Sequence, residues 1–158
     1  MTSPDSKSDL QTGRAPTLNG RGMRVGIVVA RFNDVLTRAL LDACYGELTK
    51  LKVRTTVEKW VPGAFELPLA AKALAESETV DAVIVIGAVV RGDTPHFDYV
   101  AGECAAGTMR AQLDTGVPIV FGVLTTDTVE QARARLDKGA EFAAAAVEMV
   151  QLLREIAG

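Results

Sequence analysis

The chain has few of the residues from which metal centres and disulfide frameworks are built. Its 158 residues include one histidine, His96, and two cysteines, Cys44 and Cys104. The cysteines lie far apart in helix-like segments, with no metal-ligand spacing around them. We therefore predict no metal site, and two buried, reduced thiols of the kind found in cytoplasmic proteins.

A basic excess and a long apolar run are also missing. Lysine and arginine number 17 against 20 aspartates and glutamates, a formal net charge of -3. No basic stripe is present, which argues against a nucleic-acid partner. No apolar run approaches the roughly 20 residues that span a bilayer, so we also expect no membrane contact.

The N-terminal segment differs in composition from the rest of the chain. Residues 1–19 are rich in Ser, Thr, Asp and Pro and lack the apolar core of a signal peptide. We predict a flexible N-terminal tail at 1–19, followed by one domain at 20–158. The apolar share of 48% is high for a chain with 23% charged residues. This excess suggests close helix–sheet packing or surface buried between subunits.

Apolar patterning predicts strands and helices in strict alternation. Runs rich in β-branched residues predict strands at 23–30, 53–60, 80–86 and 117–124. Helical spacing predicts helices at 35–51, 66–78, 97–113, 128–136 and 138–156, the first capped by Asp34. Without any hairpin signal, this order predicts an α/β fold. We expect a three-layer αβα sandwich with a four-stranded parallel, flavodoxin-like sheet.

His96 follows the third predicted strand, in the segment Arg91–Tyr99. The carboxyl ends of parallel strands are where open α/β sheets build their sites. Histidine is also the side chain that titrates nearest neutrality, which suits proton transfer. The alternative is a loop histidine that is merely satisfied by a neighbouring carbonyl.

The segment Gly87–Thr94 has the glycine spacing of a phosphate-binding P-loop but lacks its lysine. Asp93 stands at that position, and a carboxylate there would repel a triphosphate. The backbone N–H groups of Asp93 and Thr94 could still bind a single anion near the start of the next helix. A dinucleotide-binding fingerprint is absent, because Arg31-Phe32-Asn33 follows the first strand.

Three further segments have both structural and functional interpretations. Phe32 is either core or a stacking platform for a flat heterocycle. In Gly63–Pro68, the glycine suits close approach of a ligand, and Glu66 begins a helix, where its charge is favourable. Arg133, Arg135 and Lys138 are either a solvated face or a source of phosphate ligands. Because Glu130 and Arg133 can form a helical ion pair, Arg135 is the arginine more available to a ligand.

Four motifs in register carry a family resemblance. Residues 30–33, 61–68, 87–100 and 122–126 resemble, in consistent order, 6,7-dimethyl-8-ribityllumazine synthases, and the likeness runs from about Gly22 to the C-terminus. The resemblance implies a transferase of riboflavin biosynthesis that works without a cofactor. It would condense 5-amino-6-(D-ribitylamino)uracil with 3,4-dihydroxy-2-butanone 4-phosphate. A non-catalytic flavin-binding or shell-forming homologue is the alternative.

By matching positions, the resemblance also implies residue roles. His96 would be catalytic and transfer protons. The implied substrate-binding residues are Phe32 (stacking on the pyrimidine), Ala64, Phe65 and Glu66 (ribityl chain and ring), Ala88, Val89 and Val90 (ring pocket), Asp93, Thr94 and Arg135 (phosphate), and Phe121 from a neighbouring subunit.

The resemblance also implies a homo-oligomer, a pentamer that in some members of the family forms an icosahedral capsid of about 60 subunits. Two departures from the family pattern qualify what the resemblance implies. The linker Arg135–Gly139 is short, which leaves the pentamer-or-shell question open. It also leaves Arg133 and Lys138 as alternatives to Arg135. Asp93 replaces a glutamate common in the family, a minor change if only its N–H is used.

Overall fold

The structure is a computed structural model that describes residues 13–158. Within them, strands and helices alternate as predicted. The strands are β1 (Arg24–Ala30), β2 (Arg54–Val61), β3 (Ala82–Val90) and β4 (Ile119–Thr126). The helices are α1 (Asp34–Lys50), α2 (Leu67–Glu76), α3 (His96–Thr115), α4 (Val129–Arg133) and α5 (Lys138–Ala157), with a 3-10 turn at Ala64–Glu66.

The predicted fold class is confirmed. The four strands form one parallel sheet in the order β2-β1-β3-β4, the beginning of the flavodoxin-like order. Helices α1 and α5 cover one face, and α2 and α3 cover the other. Because all strands run the same way, the loops that follow them meet at one end of the sheet, here named the carboxyl end. The opposite end is the amino end.

The two central strands are buried on both faces, which explains their continuous apolar sequence. Ile27 and Ile84 point into the core under α1 and α5, whereas Val28 and Val85 point into the core under α2 and α3. Each fully buried side chain of this size contributes about 1.5–3 kcal/mol relative to an exposed one. The sheet is therefore a rigid base for the loops at its carboxyl end.

Element boundaries differ from the predicted ones in places that matter for the site. Strand β3 continues through Gly87, which pairs with Val123, to Val90. The P-loop-like segment is thus half strand, and the loop before α3 is only residues 91–95. The predicted cap Asp34 is wrong, because α1 begins at Asp34 and its N-cap is Asn33, whose side chain makes no cap hydrogen bond. Helix α3 runs two residues past the predicted end at 113, and Gly116, with φ 69°, is its C-cap.

Most of the predicted N-terminal tail, residues 1–12, lies outside the described residues. The described part, 13–19, has no regular secondary structure before the first turn. Gln151 of α5 holds its end, donating to the Thr17 carbonyl at 3.0 Å and accepting from the Asn19 N–H at 3.3 Å. Among residues 13–158, none of the helices combines the length and apolar character needed to cross a membrane.

Candidate active site

A cavity of about 660 Å³ opens at the carboxyl end of the sheet, between the loops that follow β1, β2 and β3. Its volume falls in the range of about 300–1,000 Å³ typical of small-molecule sites. The cavity brings together most of the predicted site residues: Phe32, Ala64, Phe65, Glu66, Ala88, Val89, Val90, Thr94 and His96. Asp93, Phe121 and Arg135 are not among its lining residues.

The first wall is the turn that carries Phe32. The Phe32 side chain is 72% exposed, which excludes the core interpretation. Its backbone is nevertheless fixed: the N–H groups of Arg31 and Phe32 donate to the carbonyls of Val61 and Pro62 at 2.8 and 3.1 Å. The hydroxyl of Thr37, fully buried, donates to the Ala30 carbonyl at 2.9 Å. An exposed ring on a fixed backbone is suited to stacking.

The second wall is the 3-10 turn Ala64–Glu66, which leads into α2. Glu66 is the N-cap of α2 and makes no cap hydrogen bond, so its carboxylate lies by the cavity at a favourable helix end. A Cβ on Gly63 would lie 3.7 Å from Glu66 Oε2 and 3.9 Å from Phe32 Cβ, ordinary contact distances. The packing of the protein does not require a glycine at this position, which lines the cavity.

The third wall runs from the end of β3 into α3. His96 is exposed and is the first residue of α3. Its N–H makes a long contact of 3.5 Å with Thr94 Oγ1. The N–H groups of Asp93 and Thr94 donate to no protein acceptor within the described chain. Free backbone amides just ahead of a long helix are the kind of group that binds anions.

Arg91 joins this loop to the loop after β4. Its Nε donates to Asp127 Oδ1 at 2.9 Å, and its Nη1 lies 3.4 Å from Asp98 Oδ1. Its guanidinium carbon stands 4.4 Å from the centre of the Phe97 ring. The hydrogen bond with Asp127 and the charge of Asp98 raise the pKa of Arg91, so it stays a cation.

A smaller cavity of about 330 Å³ holds Arg135. Its other lining residues are Arg91, Phe97, Thr125, Thr126, Asp127 and Gln131. Phe97 lines both cavities, so they share a wall at the same end of the sheet. Arg135, the predicted phosphate ligand, lines this cavity, whereas the alternatives Arg133 and Lys138 do not. Arg135 Nη1 donates to the Gln131 carbonyl at 2.8 Å.

Phe121 lies apart from both cavities. It is the third residue of the edge strand β4, opposite Val85, and is 37% exposed. Its exposed position on the edge strand therefore brings it to neither cavity of this chain.

Sequence reasoning missed several residues that line the main cavity. Tyr99 and Val100 lie three and four positions after His96 in α3, the spacing that puts side chains on one helix face. That spacing could have found them. Asn33 and Phe97 also line the cavity, and no local pattern distinguishes them from ordinary loop and helix residues.

Among residues 13–158, neither a cluster of metal ligands nor an accessible thiol is present. No group of three or more histidine, cysteine or carboxylate side chains there could hold a metal ion. Both cysteines are free and buried, and burial raises the pKa of Cys44 to about 12 and that of Cys104 to about 11. Such thiols are poor nucleophiles.

The fold and the cavity define a class: an α/β protein with a small-molecule site at the carboxyl end of a parallel sheet, lined by aromatic rings and one imidazole. Comparisons with known proteins narrow this class. The family model described as 6,7-dimethyl-8-ribityllumazine synthase matches residues 22–154. The chain belongs to this family.

Relatives with that name match over nearly their whole length. The chain is 49% identical over 149 residues to 6,7-dimethyl-8-ribityllumazine synthase of Thermus thermophilus, covering 90% of this chain and 95% of the relative. It is 52% identical over 146 residues to the protein of the same name from Syntrophus aciditrophicus, covering 88% and 95%. Nothing in these matches favours a non-catalytic homologue.

Proposed function

We propose that this chain catalyses the condensation of 5-amino-6-(D-ribitylamino)uracil with 3,4-dihydroxy-2-butanone 4-phosphate. An amine of the pyrimidine adds to the ketone and forms an imine, phosphate leaves, and ring closure with dehydration gives 6,7-dimethyl-8-ribityllumazine. The products are the lumazine, phosphate and water. The observation that carries the proposal is one cavity that unites an exposed ring, an imidazole and Thr94, whose backbone N–H is free. Family membership supports the same reaction.

The pyrimidine and its ribityl chain take the main cavity. The Phe32 ring stacks on the flat heterocycle, and the apolar end of β3 at Ala88–Val90 forms the surface beside the ring. The backbone of Ala64 and Phe65 and the carboxylate of Glu66 bind the ribityl hydroxyls and the ring. Backbone groups and a carboxylate suit a polyol, because each hydroxyl that becomes buried on binding needs a hydrogen-bond partner.

The phosphate of the second substrate takes the start of α3. The free N–H groups of Asp93 and Thr94 donate to it, and Arg135 supplies the balancing charge. Phosphate is the leaving group, so fixed amide dipoles and a guanidinium stabilise the charge that develops as it departs. Arg135 reaches the phosphate either across the Phe97 wall or from an adjoining subunit.

His96 moves the protons. Imine formation, ring closure and dehydration each need a proton taken from nitrogen or given to oxygen. An imidazole at the cavity surface can do both at neutral pH. His96 is exposed, lines the main cavity and follows the proposed phosphate amides in the chain, which supports a role near the reacting carbons of the phosphate-bearing substrate.

The working form is a homopentamer, and a shell of about 60 subunits is the larger alternative. Phe121 of one subunit would close the cavity of its neighbour. Exposed apolar side chains support assembly, among them Leu113 and Met109 on α3. Light scattering of the purified protein tests this directly, because a particle of monomer mass would contradict it.

We place the protein in the cytoplasm, with the catalytic domain at residues 20–158 and without nucleic acid or membrane as partners. The two free, buried cysteines fit a reducing compartment. The net charge of -3 fits small-molecule substrates rather than a polyanion.

The test of the proposed activity is product formation. Purified protein incubated with both substrates should develop the absorbance and green fluorescence of the lumazine, with phosphate released in equal amount. Omitting either substrate is the control. An assembled, folded sample that releases no phosphate and forms no lumazine would contradict the proposal.

A further inference from the structure

Asn33 has an unusual backbone conformation at the wall of the main cavity. Its φ and ψ of 63° and 43° lie in the left-handed region, which non-glycine residues rarely adopt. Among the described residues, Lys52 and Glu78 are the other non-glycine residues with positive φ, and neither lines the cavity. Asparagine tolerates this region better than most side chains, so the strain points to a use for the amide.

The side-chain amide of Asn33 does not cap α1, although its N-cap position predicts that role. An asparagine at a helix N-cap ordinarily accepts a hydrogen bond from the first helical turn, but Asn33 makes none. Its Nδ2 donates instead to the carbonyl of Ala88 at 2.9 Å, across 55 positions of the chain. Ala88 itself lines the cavity.

This hydrogen bond takes the place of a missing strand contact. The pairing of β1 with β3 ends at Val29 and Ile86, because the chain turns away after Ala30. Every second carbonyl of a strand points toward the same neighbouring strand. Ala88 lies two residues beyond Ile86, so its carbonyl also points toward β1, beyond the last pair of the two strands. Asn33 supplies the donor that a longer β1 would have supplied, and a buried carbonyl is thereby satisfied.

The turn that carries Phe32 is thus held on both sides. On the β2 side, the N–H groups of Arg31 and Phe32 bind the backbone. On the β3 side, the Asn33 amide is the one hydrogen bond that joins residues 31–33 to that strand in the described chain. Without it, the turn keeps its hydrogen bonds to β2 and to the first turn of α1, but none of them ties it to β3, whose end at Val89 lines the same cavity as Phe32.

We propose that Asn33 is a positioning residue, whose side-chain amide fixes the Phe32 turn against the end of β3 so that the ring meets the heterocyclic substrate. The inference rests on the proposed function, because it concerns the substrate that stacks on Phe32. It assigns Asn33 no contact with the reacting atoms. Its loss should therefore weaken binding of the pyrimidine and leave the chemical step largely intact.

Two substitutions separate the amide from the backbone conformation. Asn33→Gly keeps the left-handed conformation without a side chain, and Asn33→Asp keeps the size of the side chain but removes the donor. For both, we expect KM for the pyrimidine to rise about five- to tenfold, the loss of one net hydrogen bond. The KM for the phosphate substrate and kcat should change by less than about threefold. Calorimetric Kd for the pyrimidine should rise in parallel with its KM.

Lys52→Gly is the matched control, since it changes a left-handed residue far from the cavity and should leave all constants unchanged. If Asn33→Gly and Asn33→Asp bind the pyrimidine as tightly as the unaltered chain, only the turn conformation matters and the inference is wrong. If the unaltered chain binds the pyrimidine but forms no lumazine, the proposed function fails. The Kd comparison still decides the role of Asn33 in that case.

Discussion

Charged side chains cluster at both ends of the sheet, in opposite arrangements. At the amino end, one aspartate lies between two arginines: Asp81 is 3.3 Å from Arg24 and 3.4 Å from Arg154, and it also accepts the Arg24 N–H at 2.7 Å. At the carboxyl end, one arginine, Arg91, lies between Asp127 and Asp98.

The two clusters differ in exposure, and this separates their roles. The Asp81 side chain is 19% exposed, whereas those of Asp98 and Asp127 are 61% and 66% exposed. A partly buried, fully hydrogen-bonded carboxylate contributes to stability, while exposed ion pairs contribute little. We conclude that the amino end stabilises the sheet and that the carboxyl end positions a site. Substitutions at the amino end should then change stability and leave activity unchanged, and those at the carboxyl end should do the reverse.

The largest expected effect is at the carboxyl end. Because His96 is the proposed proton carrier, His96→Ala should lower kcat by about 10²- to 10⁴-fold. Its unfolding midpoint should match that of the unaltered chain, since the side chain is exposed. Steady-state kinetics and thermal unfolding measure the two. A variant that turns over at the original rate would remove His96 from the chemistry.

The next effect concerns the phosphate. Arg135→Gln should raise KM for the butanone phosphate by about 10- to 100-fold, the range for a charge-assisted hydrogen bond, with KM for the pyrimidine unchanged. Arg133→Gln is the matched control, because Arg133 lies on the same short segment but outside the smaller cavity. If the control variant has the larger effect, the phosphate role belongs to Arg133.

At the amino end, Asp81→Asn should destabilise the fold and leave the kinetics intact. Partial burial raises the pKa of Asp81, but the hydrogen bonds from Arg24 and the charges of Arg24 and Arg154 outweigh it, so the pKa lies below its usual value. Its stabilisation is therefore present above the unfolded-state pKa of about 3.9 and is lost as pH falls through the folded-state pKa.

We expect a loss of about 1–3 kcal/mol in the free energy of unfolding at neutral pH, shrinking below about pH 4. Denaturant titrations at several pH values provide the measurement. Asp114→Asn is the control, because Asp114 is exposed and makes no ion pair in the described chain. A loss that stays constant down to pH 2 would show that the charge of Asp81 is irrelevant.

The smallest stability effect is expected for the exposed cluster. Arg91→Met keeps most of the aliphatic stem but removes the guanidinium, and with it the contact over the Phe97 ring and the ion pairs with Asp98 and Asp127. The unfolding midpoint should move less than in Asp81→Asn, because exposed pairs are screened by solvent. A larger shift than that of Asp81→Asn would invert the comparison between the two ends.

The sequence was sufficient to predict the sheet, because its elements depend on local patterns. Buried strands such as 24–30 and 82–90 appear as unbroken β-branched runs, and parallel strand order follows from alternation with helices. The location of His96 followed from the same reasoning. Boundaries were less predictable: Asp34 is acidic at a helix start, yet the cap position is occupied by Asn33.

Side-chain partners far apart in sequence were not predictable from these patterns. The hydrogen bond of Asn33 to Ala88 depends on β1 ending before β3, which no local pattern records. The positions of Arg135 and Phe121 outside the main cavity depend on how α4 and β4 pack. The family resemblance implies roles for both residues, which stay predictions, but it does not indicate their relation to the cavity of a single chain.

The most direct test of the division between the two ends measures lumazine formation by His96→Ala and Asp81→Asn side by side, at neutral pH and a temperature where both are folded. The account predicts that Asp81→Asn forms product at the rate of the unaltered chain, while His96→Ala is slower by at least about 100-fold. Equal losses in both variants, or no product from the unaltered chain, would contradict it.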